Sequence, residues 1–154
     1  MTQTTVFFRG SGWTQVDRAG RIVVPSAFRK RLVEHYGTRV FITEGWTAVH
    51  PHVVIYPIAV WENIEKEIHF QADLSWLEKM ALMHRLNLHG VETELDDKGR
   101  LLIPQTLRQN AELTGKVILV GFFNAIQVWN PAHLERFHRE VQWDPSIVQK
   151  LPIG

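Results

Sequence analysis

The 154-residue sequence contains no cysteine, which excludes disulfide bonds and thiolate metal sites. No apolar run approaches the roughly 20 residues that a membrane-spanning helix requires. The opening segment, Met-Thr-Gln-Thr-Thr-Val-Phe-Phe-Arg-Gly, has no basic stretch leading into a signal-peptide core, so the expected location is cytoplasmic. Catalytic signatures are also missing. There is no His-Glu-x-x-His, no P-loop and no Gly-x-Ser-x-Gly. The eight histidines come nearest to metal-ligand spacing in His50-x-His52 and in His133 with His138, and neither pair fits a site. The expectation is a non-enzyme without metal or cofactor. Net charge is scarce as well: +1 over the whole chain gives no support for a polyanionic partner.

What is present is the composition of a folded domain, with 45% hydrophobic and 21% charged residues. The length suits one domain, or two small halves sharing a core. Charge is unevenly distributed. Between Arg9 and Arg31 six basic residues stand against Asp17 alone, a net of +5, whereas between Trp61 and Asp97 nine acids stand against three bases, a net of −6. Separate basic and acidic surfaces are expected, one for a polyanion and the other for solubility or subunit contacts.

An internal repeat organises the chain. Residues 17 to 29, Asp-Arg-Ala-Gly-Arg-Ile-Val-Val-Pro-Ser-Ala-Phe-Arg, align with residues 96 to 108, Asp-Asp-Lys-Gly-Arg-Leu-Leu-Ile-Pro-Gln-Thr-Leu-Arg, at an offset of 79. Each copy is one supersecondary unit that cannot bury its apolar face alone, so the two are expected to pack about a pseudo-two-fold axis. Each copy reads as a hairpin: a strand (Trp13 to Val16, Val91 to Leu95), a type I turn closed by Gly20 or Gly99 at positive φ, and a second strand (Arg21 to Val24, Arg100 to Ile103). Pro25 and Pro104 end that strand and lead into short helices. Phe28, Leu32 and Tyr36 form one apolar stripe closed by Gly37, and Leu107 and Ala111 echo it with Gly115 as the stop. Later strands are expected at Val40 to Thr43, Val53 to Tyr56, Val117 to Val120 and Ala125 to Trp129.

Between the copies the pattern is helical. Val60, Ile64 and Ile68 share a stripe, and Ser75-Trp76-Leu77-Glu78 forms a capping box that opens a second helix. A last helix should start at Asn130 as N-cap with Pro131 at its first position, and the tail from Pro145 to Gly154 should fray. The resulting division is 7–57 for the first repeat, 58–90 for a helical linker, 91–140 for the second repeat and 141–154 for the tail.

The paired Asp-x-x-Gly-Arg loops, each followed by an aliphatic strand, Pro and Arg, resemble the MraZ family of bacterial transcriptional regulators in the swapped-hairpin AbrB superfamily. Phe8-Arg9-Gly10, Val54-Ile55-Tyr56-Pro57 leading to Trp61-Glu62, and Gly121-Phe122-Phe123 leading to Val128-Trp129-Asn130-Pro131 extend the likeness over residues 7 to 140. The resemblance implies an α+β fold in which the two halves interleave into a small β-barrel with flanking helices. It also implies a ring-shaped homo-oligomer, nucleoid association, and binding to double-stranded DNA at G-rich direct repeats in the promoter of a division and cell-wall gene cluster, commonly as a repressor. Asp17, Arg21, Asp96 and Arg100 carry over from the family's Asp-x-x-x-Arg motif.

A planar guanidinium can meet guanine O6 and N7 together, which makes Arg21 and Arg100 the candidate base readers. Simple pairing of each with the Asp four residues earlier is the competing role. Arg18 and Lys98 at the turn tips are candidate phosphate anchors, with solvated turn charge as the alternative. Arg9, Arg29 and Arg108 are weaker candidates, and Asp97 should repel phosphate and weaken the second loop. Trp61, Trp76 and Trp143 are candidates for subunit contacts or for core. Two other functions compete: an antitoxin-like DNA-binding protein of the same superfamily, and an oligomeric protein-interaction scaffold.

Overall fold

The computed structural model describes residues 6–47 and 49–153. In chain order the elements are β1 (Ser11–Gln15), β2 (Arg21–Val23), α1 (Ser26–His35), β3 (Arg39–Glu44), β4 (Val53–Pro57), α2 (Ile58–Phe70), α3 (Trp76–Leu88), β5 (Val91–Glu94), β6 (Arg100–Leu102), α4 (Gln105–Asn110), β7 (Lys116–Phe122), β8 (Ala125–Trp129) and α5 (Pro131–Glu140). The fold is α+β. Six antiparallel strands form one sheet in the order β1-β7-β8-β4-β3-β5, and β2 and β6 form a separate two-stranded ribbon.

The strands exchange partners between the copies. β1 pairs with β7 of the second half, β5 pairs with β3 of the first, and β2 pairs with β6. The expected hairpins within each copy therefore do not extend into ladders. The strand-to-strand backbone pairing at each turn stops after one bond, Asp17 N–H to the Arg21 carbonyl at 2.8 Å and Asp96 N–H to the Arg100 carbonyl at 3.1 Å. The ladder does not close into the expected barrel either; β1 and β5 are edges of an open sheet. The turns carry the ribbon across the sheet's face, where Ile22, Val24, Leu101 and Ile103 bury their side chains against Ile42, Ile55, Leu119 and Ile126. Burial of each such side chain is worth about 1.5–3 kcal/mol, which a single extra ladder bond of about 1 kcal/mol does not match.

The opposite face of the sheet packs under α2 and α3, with Phe41, Val54, Tyr56, Trp61 and Leu86 in a second cluster. β4 lies between the two clusters, which is why Val53-Val54-Ile55-Tyr56 is apolar without alternation.

Local signals account for most helix ends. Gly37 at φ +91° closes α1, with its N–H on the Leu32 carbonyl at 3.0 Å. The capping box is present: Glu78 N–H donates to Ser75 Oγ at 3.1 Å and Ser75 N–H to Glu78 Oε1 at 2.9 Å. Asn130 Oδ1 accepts from the N–H groups of Ala132 and His133 at the start of α5. The second copy departs from its sequence pattern: α4 ends at Asn110, five residues before Gly115. There Glu112 takes positive φ (+52°), which turns Leu113 into the core. In the tail, Pro145–Lys150 forms a 3-10 turn with Asp144 as its cap, where fraying was expected; Gly154 lies outside the described residues. Trp61 is buried and stacks on Phe41 at 4.3 Å, whereas Trp76 and Trp143 are exposed. Among the described residues no helix is long and apolar enough to cross a membrane.

Candidate nucleic-acid interface

Asp17 and Asp96 build the two loops in the same way. Asp17 Oδ1 accepts from the backbone N–H groups of Ala19 and Arg21, both at 2.9 Å, and Oδ2 accepts from Arg21 Nε at 3.1 Å. Asp96 Oδ1 accepts from Lys98 N–H at 2.9 Å and Arg100 N–H at 2.8 Å, and Oδ2 from Arg100 Nε at 2.7 Å. The backbone N–H of the following arginine is the largest of the influences holding each carboxyl below its ordinary value. The Asp-Arg pairing weighed from sequence is thus present, and it engages only Nε. Among the described residues both Nη groups of Arg21 and of Arg100 make no hydrogen bond within the chain, so each guanidinium is held from behind with its outer edge free.

The register of the ribbon places these arginines side by side. Arg21 lies opposite Leu102, Ile22 opposite Leu101 and Val23 opposite Arg100, a pattern that maps onto itself when the copies are exchanged. The local two-fold passes through the Ile22–Leu101 pair. Those two residues are buried, so strand alternation turns Arg21, Val23, Arg100 and Leu102 to the outside.

Each loop is supported by the other copy. Val24 N–H donates to the Gly99 carbonyl at 2.9 Å, and Ile103 N–H to the Gly20 carbonyl at 3.0 Å. Arg29 Nη1 donates to the Lys98 carbonyl of the second copy at 3.2 Å, whereas Arg108 Nε donates within its own copy, to the Ile103 carbonyl at 2.8 Å, and that bond holds its guanidinium against Gly20 of the first. Gly20 (φ +87°) and Gly99 (φ +76°) need glycine for their backbone conformation and also for space. A Cβ at Gly20 would stand 2.5 Å from Arg108 Cζ, and one at Gly99 would stand 2.5 Å from Arg29 Cδ. Arg29 and Arg108 therefore sit beneath the loops, each under the copy to which it does not belong.

Arg18 and Lys98 are exposed near the turn tips and their side chains have no partner within the chain among the described residues; Asp97 is exposed beside Lys98. Six cations, Arg18, Arg21, Arg29, Lys98, Arg100 and Arg108, meet here with three carboxylates, Asp17, Asp96 and Asp97. This face is locally cationic although the chain is nearly neutral. Arg9 stands apart, at the other end of β1 beside Gly10.

Comparison with known proteins agrees with the paired loops. The family model described as "MraZ protein, putative antitoxin-like" matches residues 7–82 and 86–150, one loop in each span. The chain is 35% identical over 142 residues to the transcriptional regulator MraZ of Acidobacterium capsulatum, covering 92% of each chain. The chain belongs to the MraZ family. The Escherichia coli K12 transcriptional regulator MraZ is likewise 35% identical over 143 residues, 92% of this chain and 90% of the relative.

In this MraZ-family chain the structure brings together Asp17, Arg18, Arg21 and Arg29 with Asp96, Lys98, Arg100 and Arg108, although Arg18 aligns with Asp97 and Lys98 with Ala19. Val23 and Leu102 share the ribbon's outer face with Arg21 and Arg100. Their signal was the period of two, since each lies two residues after an arginine on a strand whose intervening residue is apolar.

Proposed function

We propose that this chain is a sequence-specific DNA-binding transcriptional regulator that reads guanines with Arg21 and Arg100. The observation that carries this reading is the two-fold ribbon on which both guanidinium groups are anchored through Nε and present two free Nη groups. An arginine fixed in this way meets guanine O6 and N7 with little rotamer entropy left to lose. Asp17 and Asp96 orient the readers, Arg18 and Lys98 hold phosphates, and Arg29 and Arg108 support the loops. The names of both relatives, transcriptional regulators, favour the same assignment.

The exchange of strands between copies supports a swapped-hairpin architecture of the AbrB type, with repeats over 7–57 and 91–140, a linker over 58–90 and a tail over 141–154. Several chains form a ring, which converts successive loop contacts into intramolecular ones and matches direct repeats of a G-rich operator. The apolar groove between α2 and α3, about 500 Å³ and lined by Phe70, Trp76 and Met83, is the proposed subunit contact. Repression of a division and cell-wall cluster from its own promoter, at the nucleoid, is the role these parts suit. Fluorescence anisotropy with the promoter of this gene tests the reading. Tight binding to its G-rich repeats is expected, and affinity no better than for random duplex would reject it.

A further inference from the structure

The ribbon carries more than its arginines. Val23 and Leu102 are 48% and 50% exposed on its outer face, each directly opposite an arginine. The four side chains make a two-fold patch in which each cation has an apolar neighbour across the ladder, Arg21 beside Leu102 and Arg100 beside Val23. Directly opposed residues on paired strands lie about 5 Å apart. Successive bases along one DNA strand are spaced roughly 3.4 Å apart. A ribbon seated with an arginine on a guanine therefore brings its apolar partner over the same or the neighbouring base step. In the major groove the one base feature suited to an aliphatic side chain is the C5-methyl of thymine.

We propose that Val23 and Leu102 are specificity-determining residues that pack on thymine methyl groups beside the guanines met by Arg100 and Arg21. This rests on the DNA-binding reading above and deepens it. The site then reads mixed guanine–thymine steps and not guanine alone. The ribbon's two-fold makes the readout symmetric: whatever step Arg21 and Leu102 select, Arg100 and Val23 select in the related orientation.

The test uses the full-length chain and the tightest duplex recovered by selection from a randomised library. Its thymines are replaced by deoxyuridine, which pairs identically and lacks only the methyl. The wild-type protein is expected to lose roughly four-fold in affinity for each contacted methyl removed. The combined variant Val23→Ala, Leu102→Ala should bind the thymine and deoxyuridine duplexes equally, at the wild-type thermal midpoint and salt dependence. Val23→Thr, which keeps the side-chain shape while replacing one methyl with a hydroxyl, should lose part of the same discrimination and serves if the double variant is unstable. Three results overturn the proposal: equal affinity of the wild-type protein for both duplexes, undiminished discrimination by the variants, or a selected duplex with no thymine beside its guanines. If DNA binding in those cases still depends on Arg21 and Arg100, the regulator reading stands without this inference. Absence of binding to any duplex ends both.

Discussion

The guanidinium of Arg29, carried by the first copy's helix, lies directly against Gly99 in the second copy's loop. Arg108 repeats the contact on Gly20. Neither loop is an independent module, because the geometry of each depends on a side chain from the other half.

Gly99→Ala is expected to lower stability by about 1–2 kcal/mol from the positive φ alone, with a further cost from the overlap with Arg29. Replacing Arg29 by Ala in the same chain should relieve only the overlap. A double-mutant cycle followed by thermal melts should therefore show clear non-additivity between the two positions. Additive effects would place Arg29 elsewhere in solution.

Arg21→Ala and Arg100→Ala should each weaken operator binding by about 1–3 kcal/mol and relax selection for guanine, with folding unchanged. Asp17→Asn keeps a side-chain acceptor for the turn but removes the charge behind Arg21, so a smaller loss confined to affinity is expected. Anisotropy titrations against operator and random duplexes distinguish these effects from loss of general DNA affinity.

Arg18→Ala and Lys98→Ala should act alike on all sequences. Each phosphate contact removed reduces the slope of log affinity against log salt by about 0.9. Loss of specificity without a change in slope would move these residues into the group that reads bases.

Trp76→Glu combined with Leu77→Glu charges an apolar surface on α3 whose side chains are 64% and 74% exposed. Sedimentation velocity should show the proposed ring replaced by smaller species with intact folds, together with a sharp fall in affinity for multi-repeat DNA. Binding to a single repeat should change little. An unaltered sedimentation profile would exclude this face as a subunit contact.

Acid should act in two stages. His52 is buried and stacked on Trp129 at 4.2 Å, and burial pushes its imidazole below the usual 6.5. The folded chain holds it neutral, so its contribution is complete above about pH 6.5 and is lost as pH falls from there toward the lowered folded value, the unfolded chain taking the proton first. Asp17 and Asp96, held below 3.8 mainly by the backbone N–H groups of Arg21 and Arg100, contribute fully above that value. Their share is lost as pH falls through the lowered folded values. Thermal midpoints measured against pH should decline first as pH falls below about 6.5 and again in strong acid. His52→Gln should remove the first decline and leave the second.

Much of the local structure was legible in the residues. Gly37, the Ser75–Glu78 box and Asn130 with Pro131 fix helix ends through contacts spanning no more than five residues. In α4 the local signal was insufficient: Gly115 was available as a stop, but the helix ends at Asn110, and the positive φ of Glu112 turns Leu113 into the core. The strands of each copy were placed correctly, whereas their partners were not. Arg21–Val23 has the same alternation whether it pairs with β1 or with β6.

Two matching loops, each with an Asp to close the turn, a Gly at positive φ and an Arg at the start of the following strand, are written into the residues themselves, since all three act within five residues of one another. How the loops interlock, how Arg29 and Arg108 come to lie against the opposite copy, and how Val23 and Leu102 come to stand outside beside the arginines follow from the packing of the whole chain. Those outcomes depend on ladder bonds and burial between residues about 80 positions apart. Their energies come from the shared core, and no local pattern encodes which distant strand will fill it.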